Sequence, residues 1–219
     1  MDIIYTYPSV QIAGMGIGYM VLKYIFSDKK YNDSVHSFIH SATSTGLSIY
    51  CLSKITTNLF SYSALTDINS HLIEHPEAIK QISFNVYHSL GYFIGDTVYS
   101  LAIKDYRYLT HHIISIAGLL SIFSESHVGS YGLMLAEMGG VFHHIKRYER
   151  SVNNQYLRWV MILSYYLIFG YSRYLMLSNV MHFSFYATKP IDYFQILLTF
   201  PLVFQNLLWM RTNWRKQKF

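Results

Sequence analysis

Cysteine is nearly absent from this chain and charge is scarce, and each shortage excludes a class of protein. The one cysteine, Cys51, rules out an internal disulfide, and its place in an apolar run makes it a packing residue. Only 13% of the 219 residues are charged, about half the share of a soluble domain, whereas 52% are hydrophobic and 17% aromatic. A chain of that composition is a polytopic, all-α membrane protein. The N-terminal Met-Asp-Ile-Ile-Tyr-Thr-Tyr-Pro has no basic n-region and no small-residue cleavage site, so the first apolar segment is expected to stay as an anchor. There is no internal repeat, heptad, linker or low-complexity tract, and a single domain is expected.

What is abundant is apolar sequence in lengths that suit a bilayer. A hydrocarbon core of about 30 Å takes roughly 20 residues at 1.5 Å rise. Seven stretches approach this, at about 9–26, 36–60, 82–103, 110–126, 129–145, 157–181 and 191–211. The fourth and fifth are short and separated by Ser124-Glu125-Ser126-His127, which predicts a tight helical hairpin or a single re-entrant element. Gly14, Gly16 and Gly18 give the first span a small-residue surface for close helix packing. The loop from Ser61 to Gln81 is the longest.

The net charge of +5 is arranged as a topology signal rather than a nucleic-acid footprint. With the N-terminus outside, the inside loops and tail carry Lys29, Lys30, Lys104, Arg107, Lys146, Arg147, Arg150, Arg158, Arg211, Arg215, Lys216 and Lys218. The outside loops carry only Lys80 and Lys189. This division supports an odd number of spans, and Trp159, Trp209 and Trp214 fall near inside ends, as an aromatic belt would. The sequon Asn32-Asp33-Ser34 then lies inside, and it is discounted as a glycosylation site.

Ionisable groups within a span are costly, about 2.5 to 3.5 kcal/mol each at a helix centre, and are retained for function or for a buried partner. Asp96 lies about 10 Å from the inner edge of span three. His111 and His112 lie at the inner end of span four, and Glu137 near the middle of span five with His143 and His144 further inward. His36 and His40 share one face of span two. The two carboxylates and the three histidine pairs are therefore expected to converge on one cavity opening towards the cytosolic leaflet. Arg173, on span six, is placed towards the outer half, and an ion pair between it and a carboxylate is the structural alternative to chemistry. A histidine at a span end also has an ordinary role as an interfacial residue.

Three chemistries could use such a cavity. A histidine-box di-iron centre is disfavoured, because Leu109 stands three residues before His112 and Val141 three before His144, so there is no H-x-x-H-H motif. Acyl transfer needs a histidine to take a proton from the attacking amine or hydroxyl and a carboxylate to orient it. A binding cavity needs neither, only room for a headgroup with the tail between spans.

In order along the chain stand His36-Ser37 and His40-Ser41, Gly91-Tyr92-Phe93-Ile94-Gly95-Asp96, His111-His112, Glu137, Arg173, and Asn206 with Trp209. Together, over roughly Asn32 to Arg215, they resemble the TLC-domain family of membrane proteins, which includes ceramide synthases and translocon-associated proteins. The resemblance implies a helical bundle around a cavity in the membrane. The family's enzymatic branch continues after the paired histidines with a His-Asp, a second Asp and a Glu. Here Ala136 stands in place of that histidine, Gly140 in place of the second Asp and His144 in place of the Glu, and the homeobox-like insertion of many ceramide synthases is missing. The resemblance therefore implies the short, non-synthase branch, whose members look like lipid-sensing, lipid-transport or membrane-composition proteins.

The expected organisation is an anchor and cytosolic loop at 1–35, a TLC domain at 36–211 and a basic tail at 212–219. The expected site is a lipid cavity built from His36, His40, Tyr92, Asp96, His111, His112, Glu137 and Arg173, with no metal and no cofactor. Its ligands are expected among membrane lipids, of sphingolipid or fatty-acyl type, and a homo-oligomer or a membrane-protein partner is compatible with it. The alternative function is an N-acyltransferase joining a fatty acyl-CoA to a sphingoid base, with His111 or His112 as base and Asp96 or Glu137 as the orienting carboxylate. A third is a structural partner of the translocon or of a lipid enzyme. The expected location is the endoplasmic reticulum or a related membrane, N-terminus lumenal and C-terminus cytosolic.

Overall fold

The computed structural model describes residues 8–25, 32–104, 106, 109–124 and 127–215, which are helical almost throughout, with no strand among them. The helices are α1 (Pro8–Ile25), α2 (Asn32–Leu52), α3 (Ala64–Glu74), α4 (Ile79–Ala102), α5 (Leu109–Leu120), α6 (Val128–Arg147), α7 (Gln155–Phe183) and α8 (Pro190–Arg215). All but α3 coincide with an expected span. Lys29, Lys30, Arg107, Glu125, Ser126, Lys216 and Lys218, used in the topology and hairpin expectations, lie outside the described residues.

The bundle is apolar on the outside and polar within. Ile17, Leu167, Phe194, Leu197 and Phe204 face outward, whereas Ser44, Asn85, Ser89, Ser172 and Asn179 are buried. Several of those buried groups pair with each other: the Ser44 hydroxyl donates to Asn85 Oδ1 at 3.2 Å and lies 3.1 Å from the Ser89 hydroxyl. This pattern suits a hydrocarbon solvent, where internal polar groups must find internal partners. Two of the described helices, α7 and α8, are long and apolar enough to cross a membrane by length and hydropathy alone, and α5 is a shorter apolar helix. Helix α2 shows why others fall below that standard: His36, His40, Ser41, Ser44 and Ser48 occupy its buried face.

Helix α1 rests on α4 at very close range. A Cβ on Gly95 would stand 2.7 Å from the Gly16 carbonyl oxygen, and one on Gly91 would stand 2.6 Å from that of Ile12. Gly91 and Gly95, four residues apart, thus form a groove that takes the α1 backbone, the small-xxx-small mode of packing in lipid. Of the three glycines expected to pack on the first span, only Gly16 does so; Gly14 and Gly18 have nothing within 4 Å of a Cβ.

Two boundaries differ from expectation. The second span ends at Leu52 rather than near residue 60, where Ser53, Lys54, Thr56 and Thr57 interrupt the apolar run. The long loop that follows contains α3, whose Ala64, Leu65, Ile68 and Leu72 form one buried stripe. Asn179 on α7 fastens it, accepting from the Leu65 backbone N–H at 2.9 Å and donating to the Ser61 carbonyl at 2.8 Å. The fourth and fifth spans do form a hairpin. A Cβ on Gly129 of α6 would collide with the Gly118 carbonyl oxygen of α5. The 12 residues of α5 rise only about 18 Å, short of a full hydrocarbon thickness.

Candidate functional site

The cavity lies at the end of the bundle where α1, α4 and α6 finish and α2 and α5 begin, because antiparallel neighbours bring those termini together. Its volume is about 120 Å³, and it is lined by every residue the sequence nominated: His36, His40, Tyr92, Asp96, His111, His112, Glu137 and Arg173.

Asp96 is the more heavily contacted carboxylate. Its Oδ1 accepts from the Lys23 ammonium of α1 and lies 3.7 Å from His36 Nε2, and its Oδ2 is 3.2 Å from His112 Nε2. Lys23 was not expected here. It sits a turn from the end of the first span, where a lysine ordinarily reaches out to the interface. Gly16, Tyr19 and Lys23 are the buried residues of α1, and this i, i+3, i+7 spacing was the signal that Lys23 points inward.

Glu137 is held by neutral-capable groups. The Ser41 hydroxyl donates to its Oε2 at 2.5 Å, and His40 Nε2 is 3.4 Å from its Oε1. His40 is itself fixed by stacking on Tyr92, with ring centroids 3.7 Å apart and planes within 9°. The Tyr92 hydroxyl donates to Ser37 at 3.0 Å. Behind this layer, His88 also stacks on His40, and the Tyr19 hydroxyl hydrogen-bonds His88 Nε2 at 3.0 Å. Tyrosine is too common in this chain for Tyr19 to have been singled out.

Arg173 enters the cavity, as nominated, and it forms no ion pair with Glu137. Its Nη1 donates to the Leu135 carbonyl at 2.9 Å and its Nη2 to the Ala136 carbonyl at 3.3 Å, with the guanidinium 4.2 Å over the Phe169 ring. A π-helical turn at Tyr165–Phe169 interrupts α7 just before it, and such turns alter which side chains face inward. Gly139 makes room: a Cβ there would meet Arg173 Nη1 at 2.8 Å. Trp209, expected in an interfacial belt, instead lines the cavity beside His111 and His143.

A second, apolar chamber of about 60 Å³ lies between α5, α6, α7 and α8, lined by Ile114, Leu119, Leu133, Met176, Leu198 and Leu202 among others. Phe93, His111, Ala136 and Glu137 line both chambers. From His111 to Leu119 it runs about 12 Å along α5. Among the described residues no group of three His, Cys, Asp or Glu side chains is placed to hold a metal ion.

An α-helical bundle with an apolar exterior and a polar, ionisable cavity within it defines a membrane protein with an internal site. The model of the TLC domain matches residues 30–215, most of the chain, and the protein belongs to the TLC-domain family. Neither the curated proteins nor the solved structures give a match. Helix α1, with Lys23, precedes the matched region.

Proposed function

We propose that this TLC-domain protein holds a membrane amphiphile, with its headgroup among the histidines and one chain in the apolar chamber, and releases it unchanged. The single observation that carries the reading is that Phe93, His111, Ala136 and Glu137 line both a polar chamber and an apolar one, which sets the two side by side. Sites of this kind bind through apolar area and are oriented by a few placed polar groups. The polar chamber is comparable in size with an engineered cavity of about 150 Å³ that accepts benzene, so it suits a headgroup and not a whole lipid. The location in the endoplasmic reticulum or a related membrane belongs to this proposal, and the orientation, with a cytosolic cavity mouth, is supported by the distribution of Lys and Arg. A reporter fused after Phe219 should be cytosolic.

A second reading, acyl transfer, is supported by the contact of 3.2 Å between His112 Nε2 and Asp96 Oδ2, the arrangement of a general base with its orienting carboxylate. Against it stand Ala136, Gly140 and His144 at positions where the family's enzymatic signature has a histidine and two carboxylates. The test is to purify the protein in nanodiscs, identify co-purified lipid by mass spectrometry, and offer fatty acyl-CoA with sphinganine. A bound amphiphile without ceramide formation is the expected result. Ceramide formation abolished by His112→Ala in a folded protein would replace the first reading with the second.

A further inference from the structure

The two sides of the polar chamber differ in charge. Among the described residues, Lys23, Arg147 and Arg173 line it against only Asp96 and Glu137. Asp96 is engaged by Lys23, His36 and His112, and Glu137 by Ser41 and His40. Both carboxylates are thus committed to α1, α2 and α5. The wall formed by α6 beyond Glu137 and by α7 supplies His143, His144, Arg147 and Arg173 and, among the described residues, no further carboxylate. Arg173 is only 4% exposed, and its hydrogen bonds run to neutral oxygens of Leu135, Ala136, Ser172 and Asn206. Its Nε is buried without a partner, as are the Nδ1 atoms of His111, His112, His143 and His144.

We propose that this wall binds the phosphate group of an anionic amphiphile, an inference that rests on the lipid-holding reading above. A buried guanidinium whose hydrogen bonds all run to neutral oxygens is costly, and a ligand that brings a negative charge into contact with it relieves that cost. The basic and imidazole groups of this wall come from two helices, His143, His144 and Arg147 from α6 and Arg173 from α7, so they meet the chamber from more than one side. That arrangement suits the several acceptor oxygens of a tetrahedral phosphate better than the planar pair of a carboxylate. Size agrees: a chamber of about 120 Å³ takes a group of about six heavy atoms. Phosphate at this position leaves the attached chain near His111 and Phe93, which line the apolar chamber as well. The phosphate could belong to a lipid headgroup or be free inorganic phosphate, and the chemistry of recognition is shared.

The experiment is equilibrium binding to the full-length protein in neutral nanodiscs, using short-chain phosphatidate, the matching diacylglycerol, a short-chain fatty acid and inorganic phosphate. Phosphatidate is expected to bind at least tenfold more tightly than diacylglycerol or the fatty acid. His144→Gln and Arg147→Gln should each remove most of that preference. Arg150→Gln should keep it, because Arg150 faces Glu149 at 3.8 Å and does not line the chamber. Displacement of phosphatidate by millimolar inorganic phosphate would support the phosphate site and show that the headgroup alone suffices. No displacement, with the preference intact, would support it and assign the phosphate to a lipid. Equal binding of phosphatidate and diacylglycerol, or of phosphatidate and the fatty acid, would overturn this inference and leave the lipid cavity standing. Failure of every amphiphile to bind would overturn both.

Discussion

Asp96 and Glu137 share one cavity and are held in different ways. Asp96 faces a fixed cation, Lys23, supplied by a helix that precedes the region matched by the TLC domain. Glu137 is held within that region by a serine hydroxyl and a histidine, neither of which carries an obligatory charge. One carboxylate is therefore half of an ion pair, and the other is an acceptor in a hydrogen-bonded layer. Removal of the first takes a carboxylate from a fixed cation, and removal of the second takes one from a hydroxyl and an imidazole.

The largest expected effect follows directly. Asp96→Ala leaves the Lys23 ammonium, in a residue 5% exposed, without its carboxylate. Breaking one side of a buried pair typically costs about 3–5 kcal/mol. Glu137→Ala should cost less, about 1.5–3 kcal/mol, the range for a hydrogen bond to a charged group. Thermal unfolding in detergent measures both. Replacing the pair together, as Lys23→Met with Asp96→Leu, should recover most of the lost stability while still abolishing any function that needs Asp96. Equal losses for Asp96→Ala and Glu137→Ala would erase the distinction between the two centres.

A smaller effect tests whether α1 is bound to the site by packing as well as by charge. Gly95→Val puts side-chain atoms where the Gly16 carbonyl now lies, 2.7 Å from the nearest Cβ position, and backbone cannot yield as a flexible side chain can. Overpacking of this kind costs about 1–3 kcal/mol. The displacement of α1 should also draw Lys23 away from Asp96, so the stability changes of Gly95→Val and Lys23→Met should not add. Gly14→Ala, on the open side of the same helix, should leave stability and ligand binding unchanged.

The seven helices other than α3 were legible because apolar runs approaching 20 residues have a length set by the bilayer. Asp96, His111, His112 and Glu137 were legible for the complementary reason, since ionisable groups stand out against such a background. Lys23 was hidden because a lysine near a span end ordinarily reaches the interface, and only the face it shares with Gly16 and Tyr19 says otherwise. Helix α3 was hidden by its own brevity: four buried apolar positions in an otherwise polar segment give a weak period, and its anchor, Asn179, is more than a hundred residues away. Arg173 was visible as a charge within a span, but its hydrogen bonds to the α6 carbonyls use the space left by Gly139, which a count along the helix does not supply.

The smallest effect concerns the hydrogen-bonded centre alone. Ser41→Ala removes the hydroxyl that donates to Glu137 Oε2 at 2.5 Å and leaves His40 as the contact on Oε1. A lost hydrogen bond of this kind costs about 1 kcal/mol on average and up to about 3 kcal/mol where one partner is charged. The nearby Gly140 decides where in that range the variant falls. Its Cβ position lies 2.7 Å from the Ser41 hydroxyl, so deleting the hydroxyl opens a small gap against the α6 backbone beside the carboxylate. A water entering the gap would restore a donor to Glu137 and hold the loss near the lower figure. Gly140→Ala in the Ser41→Ala background fills the gap with a methyl group and excludes that water. The double variant should therefore fall short of the gain of about 0.5–1 kcal/mol that Gly→Ala ordinarily brings inside a helix, because it also loses the water that serves Glu137. A double variant that gains the full helix-propensity increment over Ser41→Ala would mean that Glu137 does not need the donor.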